Sequence, residues 1–109
     1  GLTELGEEVF HGCTGLMEVR FPAGLKVIRE YALEGCTDLR SVELPEGLTE
    51  LRSFAFSGCT GLREVTLPGS VERIAPSAFL KCEQVTLRAP AGSYAQTFAE
   101  QEGLAFRSL

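Results

Sequence analysis

Histidine occurs once in this 109-residue chain, at His11, aspartate once, at Asp38, and asparagine not at all. Each scarcity removes a chemistry. Calcium sites in repeat proteins draw on clustered Asp or Asn oxygens, and one aspartate makes no cluster. A catalytic triad needs an acid and a nucleophile oriented around an imidazole, and no such pattern accompanies His11. Positive charge is short as well. Ten Lys and Arg against 15 Asp and Glu leave a formal charge of -5, whereas nucleic-acid backbones and anionic membranes recruit clustered positive charge. No apolar run approaches the roughly 18 residues of a membrane helix. The opening Gly1-Leu2-Thr3 has neither the charged nor the apolar region of a signal peptide. The glycines are not followed by G-K-[ST], so they form no phosphate loop.

Apolar residues make up 44% of the chain, enough to bury a core. The length fits one domain, either a single-centre globule or four to five short repeats. The cysteines decide between these. Cys13, Cys36, Cys59 and Cys82 lie at a constant spacing of 23. Leu2, Leu25, Leu48 and Val71 keep the same spacing, as do Leu5, Ile28, Leu51 and Ile74. So do Val9, Ala32, Ala55 and Ala78, and Phe10, Leu33, Phe56 and Phe79. Shorter columns run through Leu16, Leu39 and Leu62, through Val19, Val42 and Val65, and through Phe21, Leu44 and Leu67. Eight apolar columns sharing one period define a repeat. Its units are 2–24, 25–47, 48–70 and 71–92.

Within a unit the periodicity changes. In "EVRFP", "SVELP" and "EVTLP" apolar and polar residues alternate, the mark of a half-buried strand. Pro22, Pro45 and Pro68 follow, and each lacks the N–H that would extend a ladder. The next stretch, "GLKVIREYALEGC" and its equivalents, spaces apolar residues by 3 and 4. It predicts an extended piece followed by one helical turn. Gly35 and Gly58 close that turn, and Pro76 opens it in the fourth unit. A unit of 23 residues cannot bury its own apolar face, so the copies must stack with parallel strands.

Leu39-x-x-Val42-x-Leu44 and Leu62-x-x-Val65-x-Leu67 match the strand half of the leucine-rich signature. The Asn or Cys that usually follows the strand is replaced by proline, and the cysteine lies before the strand instead. "LTELRSFAFSGCTGLREVTLP" (48–68) therefore resembles the BspA-like leucine-rich repeats of bacterial surface proteins, over residues 2–92. The resemblance implies an α/β repeat fold: a right-handed leucine-rich-repeat solenoid with a parallel β-sheet on one face, short helical turns and a C-terminal cap. It also implies a bacterial, extracellular or cell-surface setting and a role in adhesion.

The two ends differ. After Cys82 the strand "QVTL" (84–87) begins three residues early, as if one step of the repeat were deleted. "GSYAQTFAEQEG" then predicts a helix of about two turns, with Ser93 as N-cap, Gln96 completing a capping box and Gly103 closing it. "LAFRSL" predicts a last short strand, so 93–109 reads as a C-terminal cap. No counterpart stands at the front, where Leu2 and Leu5 are already in register. That asymmetry predicts a piece of a longer protein, or self-association through the uncapped first repeat.

Four cysteines in a small domain invite a disulfide reading. Equivalent positions in stacked coils lie about 5 Å apart, but their Cβ vectors run side by side. A column of free thiols used as small core filler is the better expectation. A linear ladder also fails to surround a metal tetrahedrally, so no metal or other cofactor is expected. The His11 column continues as Glu34, Ser57 and Leu80, a variable surface position. Tyr31 and Phe54 occupy equivalent positions, either as an aromatic strip for a ligand or, more simply, as shields over the core edge.

The polar columns of the strands remain. Glu18, Ser41, Glu64 and Gln84 form one row, and Arg20, Glu43, Thr66 and Thr86 the next, with Arg40 and Arg63 just upstream beside Met17. In leucine-rich folds such side chains project outward between the buried ones. They are the candidate binding face, against the plainer reading of a solvated surface with mixed charge. The sequence thus predicts a non-catalytic module that binds a protein, host or extracellular matrix proteins among the partners that the resemblance suggests. Nucleic acid and membrane insertion are not expected. The alternative is a structural spacer and solenoid cap, with recognition carried by further repeats.

Overall fold

The computed structural model of the chain describes residues 4, 5, 15, 17, 19, 21 and 24–109. Two parallel sheets are stacked from equivalent segments of successive coils. The first sheet contains β1 (Glu4–Leu5), β2 (Val27–Ile28), β4 (Glu50–Leu51) and β6 (Arg73–Ile74), in that spatial order. The second contains β3 (Ser41–Glu43), β5 (Glu64–Thr66), β7 (Thr86–Ala89) and β8 (Ala105–Ser108). Helix α1 (Tyr94–Glu102) precedes β8. The second sheet is the one that the L-x-x-V-x-L segments announced. The extended pieces upstream pair as well, which gives the first sheet.

In the first sheet Glu4, Val27, Glu50 and Arg73 pair in sequence, each offset by 23, as do Leu5, Ile28, Leu51 and Ile74. Ile28, Leu51 and Ile74 are buried, and so are Val42, Val65 and Leu87 of the second sheet. Between the sheets lie Leu25, Leu48 and Val71, Ala32, Ala55 and Ala78, and Leu33, Phe56 and Phe79. Each column stacks like on like. The Phe56 and Phe79 rings lie parallel with centroids 5.4 Å apart, and Phe98 of α1 adds a tilted third ring 6.4 Å from Phe79. A ring at Phe98 thus takes the place of the next coil, and Ala95 and Ala99 are buried beside it.

The expected helical turns are turns without helix. Their backbone groups point alternately inward and along the stack. Ala32, Glu34 and Cys36 donate to the carbonyls three residues back, at Arg29, Tyr31 and Leu33. Between them Tyr31, Leu33 and Gly35 donate to Ser53, Ala55 and Ser57 of the next coil. Phe56 and Gly58 repeat this onto Ala78 and Leu80 at 2.8 Å each. Donors committed to a neighbouring coil cannot close the i to i−4 bonds of a helix. The cost falls on backbone conformation: Tyr31 and Phe54 have φ of 63° and 61°, where bulky side chains are rare. Gly35 and Gly58 are left-handed as expected, and Lys81 adopts the same conformation at φ 66° with a side chain attached.

The fourth coil departs from the sequence reading. Val85 donates to Cys82 as Leu62 does to Cys59, so the register up to Val85 still advances by 23. Beyond it Val65 pairs with Leu87 and Thr66 with Arg88, an advance of 22. The deletion is one residue, between Val85 and Leu87, rather than three. The strand is Thr86–Ala89, and Gln84 lies on the exposed turn before it.

The helix and last strand follow their sequence signals. Ser93 has extended φ/ψ and its hydroxyl accepts from the Gln96 N–H at 3.4 Å. Gln96 Oε1 accepts from the Gly92 N–H at 2.8 Å, one residue ahead of the usual capping-box partner. Gly103 closes the helix in the left-handed region. The chain then adds β8 parallel to β7, with Leu87 opposite Phe106.

Candidate functional site

The cysteine column is core. Cys36, Cys59 and Cys82 are free thiols and buried; Cys13 lies outside the described residues, as does His11. The thiols also act as weak donors along the stack: Cys59 donates to the Leu33 carbonyl at 3.1 Å and Cys82 to that of Phe56 at 2.9 Å. Contact with the Cys82 thiol, together with burial, pushes the Cys59 thiol well above the usual cysteine range. Thiolate chemistry is therefore suppressed there. Among the described residues no group of three or more His, Cys, Asp or Glu side chains is arranged to hold a metal ion.

Tyr31 and Phe54 stack with centroids 5.2 Å apart and an interplanar angle of 10°. Both are half-buried, so each ring spends much of its face on its neighbour. Beside them the outer side of the first sheet carries interleaved charges. Arg29, Glu30, Arg52 and Glu50 form a chain of ion pairs at 3.4–3.9 Å. A backbone hydrogen bond to its carboxylate, aided by Arg52 and Arg29 and opposed by burial, holds Glu30 below the usual carboxylate range.

The outward face of the second sheet gathers most of the polar side chains singled out from sequence. Register places Ser41, Glu64 and Thr86 side by side. Ala105 of β8 extends this row. The next row is Glu43, Thr66, Arg88 and Arg107. Arg40 and Arg63 precede β3 and β5 and are exposed, and the Arg40 carbonyl accepts from the Arg63 N–H at 2.8 Å. Thr86 thus belongs to the Ser41 row rather than to that of Glu43, and Gln84 to neither. Glu18 and Arg20 lie outside the described residues. Arg88, Ala105 and Arg107 were missed. The alternation Val85-x-Leu87-x-Ala89 is the signal that would have found Arg88.

Charge on this face is mixed. Arg88 Nη1 lies 3.2 Å from Glu64 Oε1, with both side chains nearly two-fifths exposed, and such pairs add little stability. Among the described residues no helix is long and apolar enough to cross a membrane.

Stacked coils of one 23-residue period, parallel strands and an apolar column at every equivalent position define a leucine-rich-repeat solenoid. The family model described as "BspA type Leucine rich repeat region (6 copies)" matches residues 1–99, and the chain belongs to that family. Three solved bacterial structures are similar. A leucine rich cell surface protein from Faecalibacterium prausnitzii A2-165 is 31% identical with a TM-score of 0.80, over 88% of this chain and 25% of that one. A leucine-rich repeat protein from Bacteroides ovatus ATCC 8483 is 30% identical with a TM-score of 0.83, over 100% of this chain and 29% of that one. The T. pallidum leucine-rich repeat protein is 30% identical with a TM-score of 0.66, over 80% of this chain and 52% of that one. The chain therefore spans a quarter to a half of the length of these proteins. No curated protein matches.

Proposed function

We propose that this chain is a non-catalytic protein-binding module at the C-terminal end of a larger bacterial surface or secreted protein, and that it serves adhesion. The observation that carries this reading is the outward face of the second sheet. Two rows of polar side chains, Ser41–Glu64–Thr86 and Glu43–Thr66–Arg88, are held at strand spacing with Arg40 and Arg63 beside them. A rigid surface of this kind costs little entropy to present to a partner. The cell-surface character of the Faecalibacterium neighbour supports an extracellular setting. A host or extracellular matrix protein is the partner class that this setting suggests.

The Glu64–Arg88 pair favours a second reading, because a face that neutralises its own charges suits a spacer and terminal cap. One experiment separates them. Arg40→Ala, Arg63→Ala and Glu64→Ala are combined, and binding of the chain to immobilised matrix proteins is measured by surface plasmon resonance. The binding reading expects a loss of at least about tenfold for the responding protein. Unchanged binding, or none with either protein, leaves the spacer.

A further inference from the structure

The cap treats the two sheets differently. At the end of the first sheet the Tyr94 hydroxyl accepts from the Ile74 N–H, so the exposed edge of β6 is partly covered. At the end of the second sheet β8 is the last strand, and no described residue pairs with its outer edge. Leu109 donates to the Ala89 carbonyl at 3.0 Å, toward β7. Backbone groups alternate sides along a strand, so the N–H and C=O of Phe106 and Ser108 point outward. Two donors and two acceptors stand there at strand spacing.

The side chains around this edge have a definite character. Phe106 and Leu104 are only half-buried and pack on the core from its end. Arg88 and Arg107 are neighbours in the outward row. Among the described residues Arg107 has no ion-pair partner, and Arg88 has only the part-exposed Glu64. The end of the sheet therefore offers an apolar strip on its inner side and positive charge on its outer side.

We propose that the outer edge of β8 binds an extended peptide segment of alternating apolar and acidic residues, which joins the second sheet as an added strand. Its apolar side chains cover Phe106 and Leu104, its carboxylates sit beside Arg107 and Arg88, and its backbone pairs with Phe106 and Ser108. Backbone bonds give such an added strand its affinity, and the alternating side chains give it selectivity. A second copy of this chain fits less well. Two-fold pairing of β8 through Phe106 and Ser108 sets Arg107 opposite its own copy, and directly opposed like charges destabilise a strand pair. This proposal does not rest on the face formed by Arg40, Arg63 and Glu64.

The test is fluorescence anisotropy with a labelled synthetic peptide of alternating valine and glutamate, blocked at both ends, against the same peptide with lysine for glutamate. Ser108→Pro removes an outward N–H while leaving the bonds to β7, and proline is tolerated on edge strands. Arg107→Glu reverses the charge at an exposed position. The expected result is binding of the glutamate peptide, weakened at least about tenfold by each variant, with Arg107→Glu gaining affinity for the lysine peptide. Circular dichroism melting of both variants establishes that they remain folded. Equal affinity for the two peptides, no binding at millimolar peptide, or loss of binding with Arg40→Ala and Arg63→Ala instead would overturn the proposal. So would a dimer in sedimentation that Ser108→Pro abolishes, which would assign the edge to a second copy.

Discussion

The Tyr94 hydroxyl oxygen lies 3.3 Å from the Ile74 nitrogen and accepts its N–H. Arg73 and Ala75 on either side donate inward to Thr49 and Leu51 of the preceding coil, so Ile74 is the donor of β6 that faces the end of the stack. A phenol on the first residue of α1 does here what a neighbouring strand does elsewhere. Tyr94→Phe keeps the ring and removes the acceptor. The expected cost is about 1 kcal/mol, the typical net value of one hydrogen bond, seen as a lower urea midpoint with an unchanged slope. An unchanged midpoint would mean that water serves Ile74 equally well.

Gly61 is required by a close approach between coils. A Cβ there would lie 2.5 Å from the Thr37 carbonyl oxygen and 3.0 Å from an Arg40 guanidinium nitrogen. The first of these is backbone and cannot swing away. Gly61→Ala is expected to destabilise by roughly 1–3 kcal/mol, as overpacking does. Gly15, where an added Cβ meets nothing within 4 Å, is the matched control. Equal melting temperatures for the two variants would refute the contact.

Lys81 takes the place that Gly35 and Gly58 hold one and two coils earlier, with φ of 66° against 78° and 76°. The left-handed region costs an L-residue about 1–2 kcal/mol. Glycine gives back about 0.4–1 kcal/mol through greater freedom of the unfolded chain. Lys81→Gly should therefore stabilise by about 0.5–1 kcal/mol. A drop in melting temperature would show that the lysine side chain contributes more than its backbone costs.

The thiols of Cys36, Cys59 and Cys82 should resist a water-soluble disulfide reagent at pH 8 in the native chain and react fully in denaturant. Burial points that way for all three and outweighs the lowered Cys82 thiol, which contact with Cys59 favours as thiolate; the raised thiol adds to burial at Cys59 alone. Rapid labelling of any of the three without loss of circular dichroism would contradict the packed column.

Much of this architecture was legible because stacking repeats the same requirement every 23 residues. Leu48, Leu51, Ala55, Phe56, Cys59, Leu62 and Val65 each have a predecessor 23 positions earlier, and both sets are buried. Helix α1 was legible for a local reason: Ser93, Gln96 and Gly103 act within one helix. What escaped depends on the neighbouring coil. Apolar spacing around Tyr31 and Leu33 fits a helical turn, yet the Leu33 N–H bonds to Ala55 in the next coil. The column of Gly61 reads Gly15, Asp38, Gly61 and Gln84, and a Cβ at Gly15 meets nothing within 4 Å, so the column does not tell where glycine is needed. The rows of the candidate face slipped at Gln84 and Thr86 because the deletion lies between Val85 and Leu87. Two apolar residues one apart can be aligned with Leu62 and Val65 in more than one way.

The alternating bonds of the turn around Leu33 and Gly35 recur around Phe56 and Gly58, donor for donor. A coil inserted between them would meet on each side a surface that already fits it. Tandem duplication of the coding DNA for one unit is therefore expected to give a longer protein whose new junctions repeat bonds already present. Whole units like 25–47 and 48–70 can thus be added one at a time, whereas the shortened fourth coil and its helix present no such matching pair of surfaces.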